Sequence, residues 1–83
     1  MKLLYFAWLR EKIGLAEEDV AVPTGVRDVA GLVAWLQTRG PGYVAAFAQA
    51  NLVRCAVDQD FAQADAPIAG AKEIAFFPPV TGG

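Results

Sequence analysis

The residues best suited to chemistry in this chain are the last two, Gly82 and Gly83, which follow Pro78-Pro79 and Val80-Thr81. Glycine has no Cβ, so another protein can approach such a backbone from every side. Fully extended, residues 78–83 reach about 20 Å at about 3.3 Å per residue. A tail of this shape can thread a narrow channel and deliver the α-carboxylate of Gly83 to a buried site. The alternative is an inert, frayed end, because chain termini are commonly disordered.

The segment before this tail predicts how the tail is anchored. Glu73–Phe77 is short, apolar and rich in bulky residues, which is typical of a buried strand. Pro78 and Pro79 have no N–H to donate, and each fixes φ near −65°, so the strand must end there. We therefore expect a folded domain over residues 1–77 and an extended tail over residues 78–83.

The composition excludes most kinds of independent active site. The chain has one cysteine, Cys55, and neither histidine nor serine. A disulfide within the chain, a zinc site with several Cys or His ligands, and the Ser-His-Asp and Cys-His arrangements are therefore excluded. Cys55 lies on the more apolar side of a predicted strand, which favours a core thiol over a catalytic or sulfur-accepting one.

The net charge and the hydropathy of the chain limit the kinds of partner that it can bind. The net charge is −2, the pI is near 4.8 and the seven basic residues are scattered, which argues against nucleic acid and anionic membranes. Apolar runs are too short for a membrane span, and Met1-Lys2 leads directly into a predicted strand, so we expect a cytosolic protein. The apolar fraction of 55% is high for a small domain and suggests a surface that meets another protein.

Five segments are predicted to be strands. Both faces of the first are bulky, which is typical of a central strand, whereas the second and third alternate between apolar and polar residues. The turn 58–60 separates the third strand from a short edge piece. The predicted strands are Lys2–Trp8, Glu17–Val22, Asn51–Asp58, the piece beginning at Phe61, and Glu73–Phe77.

The apolar spacing predicts one long helix over Val26–Arg39. Val26, Val29, Leu32, Val33 and Leu36 recur on one face of such a helix. Thr24 is its predicted N-cap, and Gly40 and Pro41 predict its end. A helical turn over residues 9–14 and a shorter helix over residues 43–49, with Val44, Phe47 and Ala48 inward, are further predictions.

The predicted order of elements indicates an α+β fold, with a mixed sheet in which the first and last strands pair in parallel at the centre. Two segments resemble the MoaD family, the small sulfur-carrying subunits of molybdopterin synthase: residues 76–83 (FFPPVTGG) and residues 4–11 (LYFAWLRE). The likeness spans the whole chain in length and order of elements. It implies a ubiquitin-like β-grasp fold with one main helix across one face of the sheet and an extended Gly-Gly tail.

This resemblance also implies a chemistry. An E1-like adenylyltransferase would use ATP to adenylylate Gly83, and a sulfur-transfer enzyme would convert the adenylate to a thiocarboxylate. The large subunit of molybdopterin synthase, in a heterotetramer, would take up the tail, and the sulfur would pass to cyclic pyranopterin monophosphate. This chain would then be a sulfur-donating subunit with no bound cofactor and no active site of its own, acting as a group carrier.

Site residues follow from the resemblance and from strand parity. Gly83 would carry the sulfur, with Gly82, Thr81, Val80, Pro79 and Pro78 as the threading segment. Our hypothesis from strand parity is that Leu3, Tyr5, Ile74 and Phe76 pack under the helix and that Phe6 and Phe77 face outward as an apolar anchor for the partner. The alternatives are that all six residues lie in the core, or that a register shift of one residue exchanges the two sets. Arg10 is either one of the charges of a solvated turn or, as the resemblance implies, a further partner contact.

Three other functions fit the same pattern. One is a sulfur carrier for another pathway, such as the thiamine-type carrier, and another is a ubiquitin-like modifier whose Gly83 forms an isopeptide bond. A plain interaction module with an inert tail is the third. Fold alone cannot choose among them, because one fold can host many functions.

Overall fold

The structure is a computed structural model, and it describes residues 1–79. The helices in this part of the chain are α1 (Trp8–Ile13), α2 (Val29–Gln37) and α3 (Pro41–Ala46), with a 3-10 turn at Ala50–Leu52. The strands are β1 (Lys2–Tyr5), β2 (Glu17–Asp19), β3 (Arg54–Val57), β4 (Asp60–Ala62) and β5 (Glu73–Phe77). None of the helices within residues 1–79 has the length and hydropathy needed to cross a membrane.

The strands form one mixed sheet in the order β2-β1-β5-β3-β4. β1 and β5 pair in parallel at the centre, with Leu3 opposite Ile74 and Tyr5 opposite Phe76. The remaining pairs are antiparallel, including Arg54 of β3 opposite Phe77 of β5. This is the ubiquitin-like β-grasp arrangement, so the predicted fold class is confirmed.

The core lies between the inner face of this sheet and α2. The predicted inner set of Leu3, Tyr5, Ile74 and Phe76 is buried, as are three side chains of α2. Phe76 lies at the centre of the aromatic contacts, stacked on Tyr5 and edge-on to Phe47. Each such side chain contributes about 1.5 to 3 kcal/mol by leaving water.

The main helix is shorter than predicted at both ends. It ends at Gln37 with Thr38 as its C-cap, before the predicted end at Gly40, and its N-cap is Asp28 and not Thr24. The Oδ1 atom of Asp28 accepts a hydrogen bond from the N–H of Gly31 at 2.7 Å, which satisfies one of the free donors of the first turn. The residues before it form a turn in which the N–H of Val26 bonds to the carbonyl of Pro23. The predicted core face is confirmed at Val29, Leu32 and Leu36, which are buried, whereas Val33 is half-buried and Val26 lies before the helix.

The second helix begins at Pro41, so the prediction that Pro41 only stops the preceding helix was wrong. Proline suits the first helical position, where its missing N–H has no partner to lose. α3 therefore begins and ends earlier than predicted, and its buried side is Ala46 and Phe47. Val44 and Ala48, predicted to face inward, are exposed.

Three strands are also shorter than predicted. β1 stops at Tyr5 because the chain turns at Ala7 into α1, which confirms the predicted helical turn ending at Gly14. β2 stops at Asp19, and the 3-10 turn at Ala50–Leu52 delays the start of β3. The predicted turn between β3 and β4 and the bounds of β5 are confirmed.

Candidate partner-binding site

The outer face of the sheet, opposite α2, carries a continuous apolar surface beside the point where the chain leaves β5. Side chains directly opposite one another on paired strands share a face, so the register identifies this set. The register gives Leu4, Ala56, Phe61, Ala75 and Phe77. We call these residues the outer patch, together with the exposed Phe6, which directly follows β1.

Phe6 and Phe61 are the most accessible members of the outer patch, with 49% and 86% of their surface exposed. An isolated exposed apolar residue is ordinary on a protein surface, but a contiguous group of aromatic rings is typical of a protein-binding surface. The predicted outward orientation of Phe6 is confirmed. Phe77 alternates with the buried Phe76 and is half-buried.

Phe61 was not among the residues predicted to meet a partner. Its ring is edge-on to that of Phe77, with ring centroids 5.9 Å apart and an interplanar angle of 68°. The turn between β3 and β4 is the feature that could have indicated this position of Phe61. Asp58 and Gln59, both with positive φ, form a two-residue connection that fixes Phe61 opposite Ala56. Once β3 is placed, this register sends Phe61 to the outer face.

The backbone at Ala7 sets the position of Phe6. Ala7 has φ 54° and ψ −130°, a region that favours glycine and costs a non-glycine residue about 1 to 3 kcal/mol. The N–H of Phe6 still donates to the carbonyl of Phe76 at 3.1 Å, so the sheet ladder extends to Phe6 before the chain turns. The strained turn thus follows directly after the residue that is hydrogen-bonded to β5, and α1 leaves the sheet from there.

Charged residues lie around this end of the sheet. Arg54 is opposite Phe77, and its Nη1 donates to the carbonyl of Asn51 at 2.8 Å. Arg10, predicted to contact a partner, is exposed on α1, which begins two residues after Phe6. The role of Arg10 in binding stays a prediction.

The tail itself is described only at its start. Pro78 and Pro79 are half-buried and follow β5 directly. The remaining predicted threading residues, Val80, Thr81 and Gly82, and the predicted sulfur-bearing residue Gly83 lie outside the described residues. Their roles therefore stay predictions.

Cys55 is a core thiol, as predicted. It is 6% exposed, its Sγ donates to the carbonyl of Ala62 at 3.4 Å, and burial raises its pKa. A raised pKa keeps the thiol protonated, which disfavours nucleophilic chemistry. Among residues 1–79, no three His, Cys, Asp or Glu side chains are grouped so that they could hold a metal ion.

The five-stranded mixed sheet with α2 across one face places this chain in the class of ubiquitin-like β-grasp domains. The chain belongs to the ThiS family, whose model matches residues 3–83. It is 35% identical over 85 residues to the molybdopterin synthase sulfur carrier subunit of Escherichia coli K12, covering 100% of this chain and 99% of that protein. The subunit of the same description from Haemophilus influenzae Rd is 33% identical over 87 residues, with the same coverage.

Two solved structures have the same fold. The crystal structure of SAMP1 from Haloferax volcanii superposes with a TM-score of 0.71 at 25% identity, covering 100% of this chain and 98% of that one. A putative molybdopterin converting factor, subunit 1, from Pyrococcus furiosus also gives 0.71, at 26% identity and 95% coverage of both chains. The family resemblance read from the sequence is thereby confirmed.

Proposed function

We propose that this protein is the sulfur carrier subunit of a molybdopterin synthase and acts in molybdenum cofactor biosynthesis. The observation that carries the proposal is the match with two curated relatives of that description, at 35% and 33% identity, over almost the full length of both proteins. The apolar outer patch supports it, because a carrier must bind the enzymes that load and unload it.

The proposed chemistry takes place at the carboxylate of Gly83. A carboxylate is a poor electrophile because it is an anion, so a partner adenylyltransferase first joins it to AMP with release of pyrophosphate from ATP. Hydrosulfide then forms a C–S bond at the carbonyl carbon, and AMP leaves with the electrons of the broken C–O bond. The product is a thiocarboxylate, a soft nucleophile on a folded carrier.

The fold supports this role through β5. β5 lies between β1 and β3, with hydrogen-bonded neighbours on both sides, so the start of the tail is fixed. A rigid anchor limits the positions that the tail must search, which lowers the entropic cost of entering a channel. In the proposed assembly, the large subunit binds the outer patch and takes up residues 78–83, and sulfur passes to cyclic pyranopterin monophosphate.

The test is the intact mass of the protein after incubation with an E1-like adenylyltransferase, ATP and a sulfur donor. We expect a mass change corresponding to the exchange of one oxygen for sulfur at Gly83, present only with ATP. A variant lacking Gly82 and Gly83 is the matched control and should show no change. An unmodified wild-type chain with an adenylyltransferase that loads a known carrier would overturn the proposal.

A second assay separates the pathways that share this loading step. The thiocarboxylated protein is mixed with a molybdopterin synthase large subunit and cyclic pyranopterin monophosphate, and molybdopterin is measured. Formation of molybdopterin supports the proposal. Sulfur delivery only to a thiazole-forming system, or isopeptide conjugates of Gly83 with lysine, would assign the chain to one of the alternatives.

A further inference from the structure

A second apolar surface lies on the helical side of the chain's exit from the sheet. It is an open groove of about 490 Å³ between α1 on one side and the end of α3 and the segment that follows it on the other. We call it the exit groove, and its lining residues are Trp8, Lys12, Ala45, Ala48, Gln49 and Leu52. Leu52 is 40% exposed although it is a large apolar residue.

The topology places the exit groove beside the start of the tail. β1 is parallel to β5 and ends level with Phe76, so Trp8 follows at the end of the sheet where β5 finishes. β3 is antiparallel to β5 and begins opposite Phe77, so Leu52 precedes it at the same end. The outer patch and the exit groove therefore both lie toward the end of the sheet at which the chain leaves β5.

The exit groove also has a charge preference. Lys12 is its one charged lining residue, and no carboxylate lines it among the described residues. Trp8 and Lys12 are four residues apart on α1 and so share one side of that helix. Neither of the two ion pairs found within residues 1–79 involves Lys12. The complementary ligand is an apolar side chain next to a carboxylate.

We propose that the exit groove is a second docking site for the large subunit, and that it receives an apolar side chain flanked by an acidic residue. The proposal rests on the proposed function, because it requires a protein that encloses the tail. Such a protein contacts this domain where the tail leaves β5, and the exit groove lies at that end of the sheet.

The first test compares Leu52→Glu with Leu15→Glu in binding to the large subunit by titration calorimetry. Both leucines are similarly exposed, at 40% and 42%, but Leu15 does not line the groove. We expect Leu52→Glu to weaken binding at least about tenfold more than Leu15→Glu, as for a central interface residue. Equal affinities of the two variants would overturn the proposal, provided that both unfold at the wild-type temperature.

The second test addresses the charge. Lys12→Glu is compared with Lys72→Glu, which changes the net charge equally at the opposite end of β5, next to its first residue. We expect Lys12→Glu to weaken binding about tenfold and Lys72→Glu to have little effect, because only the first is set against a partner carboxylate. Equal effects would indicate a general charge effect and would remove the acidic partner from the proposal.

The failure of this inference differs from the failure of the proposed function. If the wild-type chain is never thiocarboxylated and never binds a large subunit, the proposed function fails. If the wild-type chain binds and Phe61→Ala weakens binding, while Leu52→Glu matches its control, only the exit groove is excluded from the interface.

Discussion

The ring of Phe61 on β4 stands edge-on against the ring of Phe77 on β5, with centroids 5.9 Å apart, although β3 lies between their strands. Because both rings project from the outer face, their contact spans β3 and joins the edge of the sheet to the start of the tail. This pair extends the outer patch from Phe6 at one side to Phe61 at the other. The patch is thus broader than the two-residue anchor predicted from strand parity.

Replacing either ring should weaken partner binding more than stability. We expect Phe77→Ala and Phe61→Ala each to cost about 2 kcal/mol in affinity for the large subunit, the size of an interface hot spot. Calorimetric titration measures this, and thermal unfolding should change little for Phe61→Ala because its side chain is exposed. Phe76→Ala is the contrasting variant: it empties the core and should cost about 3 to 5 kcal/mol of stability. Unchanged affinity for Phe61→Ala would contradict the binding role of the outer patch.

The tail should tolerate no side chain at its penultimate position. We expect Gly82→Val to fold like the wild type but to lose sulfur transfer, because a branched Cβ obstructs a channel shaped for glycine. Mass spectrometry of the loaded protein and circular dichroism check the two parts. Wild-type transfer rates for Gly82→Val would contradict the threading hypothesis.

Glu18 of β2 joins three elements through one carboxylate. Its Oε2 accepts hydrogen bonds from the hydroxyls of Tyr5 at 2.8 Å and Tyr43 at 2.6 Å, and its Oε1 accepts one from Arg39 Nη1 at 2.9 Å. Burial alone would raise the pKa of Glu18, but these donors together outweigh it and lower the pKa below its ordinary value. Burial of the Tyr43 hydroxyl, together with its hydrogen bond to Glu18, raises the pKa of Tyr43.

This network predicts an acid-sensitive stability. Since the folded state lowers the pKa of Glu18, its contribution is complete above the unfolded value of about 4.3 and is lost as the pH falls through the folded value. We expect Glu18→Gln to cost about 2 kcal/mol at neutral pH and to flatten the fall in stability below pH of about 4. Urea unfolding measured over a range of pH tests both the loss of stability and the flatter acid profile. Glu17→Gln, which changes the neighbouring exposed carboxylate, is the control. An acid profile identical to that of the wild type would argue against the role of Glu18.

The approach of α1 to α3 depends on Gly42. A Cβ added there would lie 2.6 Å from the carbonyl oxygen of Lys12, which is backbone and cannot rotate away. Gly to Ala in a helix is ordinarily stabilising by about 1 kcal/mol, but this overlap should reverse the sign and destabilise the fold by about 1 to 2 kcal/mol. Gly25→Ala, where the added Cβ meets nothing within 4 Å, is the control for thermal unfolding. A stabilised Gly42→Ala variant would show that the two helices can separate without cost.

Several structural features of this protein could be predicted from the amino-acid sequence alone. The strand 73–77 and its end at Pro78, the inner set of β1 and β5, and the burial of Cys55 depend on local pattern: alternation, proline chemistry and apolar bulk. The class of fold followed from the order of elements together with the resemblance at residues 4–11 and 76–83. The family matches confirm that assignment.

Only the tertiary structure determined the features that depend on strand register and on which of two residues caps the main helix. Thr24 and Asp28 are both acceptable N-caps locally, and the contact of Asp28 with the N–H of Gly31, together with its bridge to Pro67, favours the later start. Phe61 joined the outer patch because the turn at 58–59 fixed its pairing, and a shift of one residue would have reversed its face. Trp8 and Leu52 are 44 positions apart in the chain, and only the opposite directions of β1 and β3 beside β5 bring them to one groove.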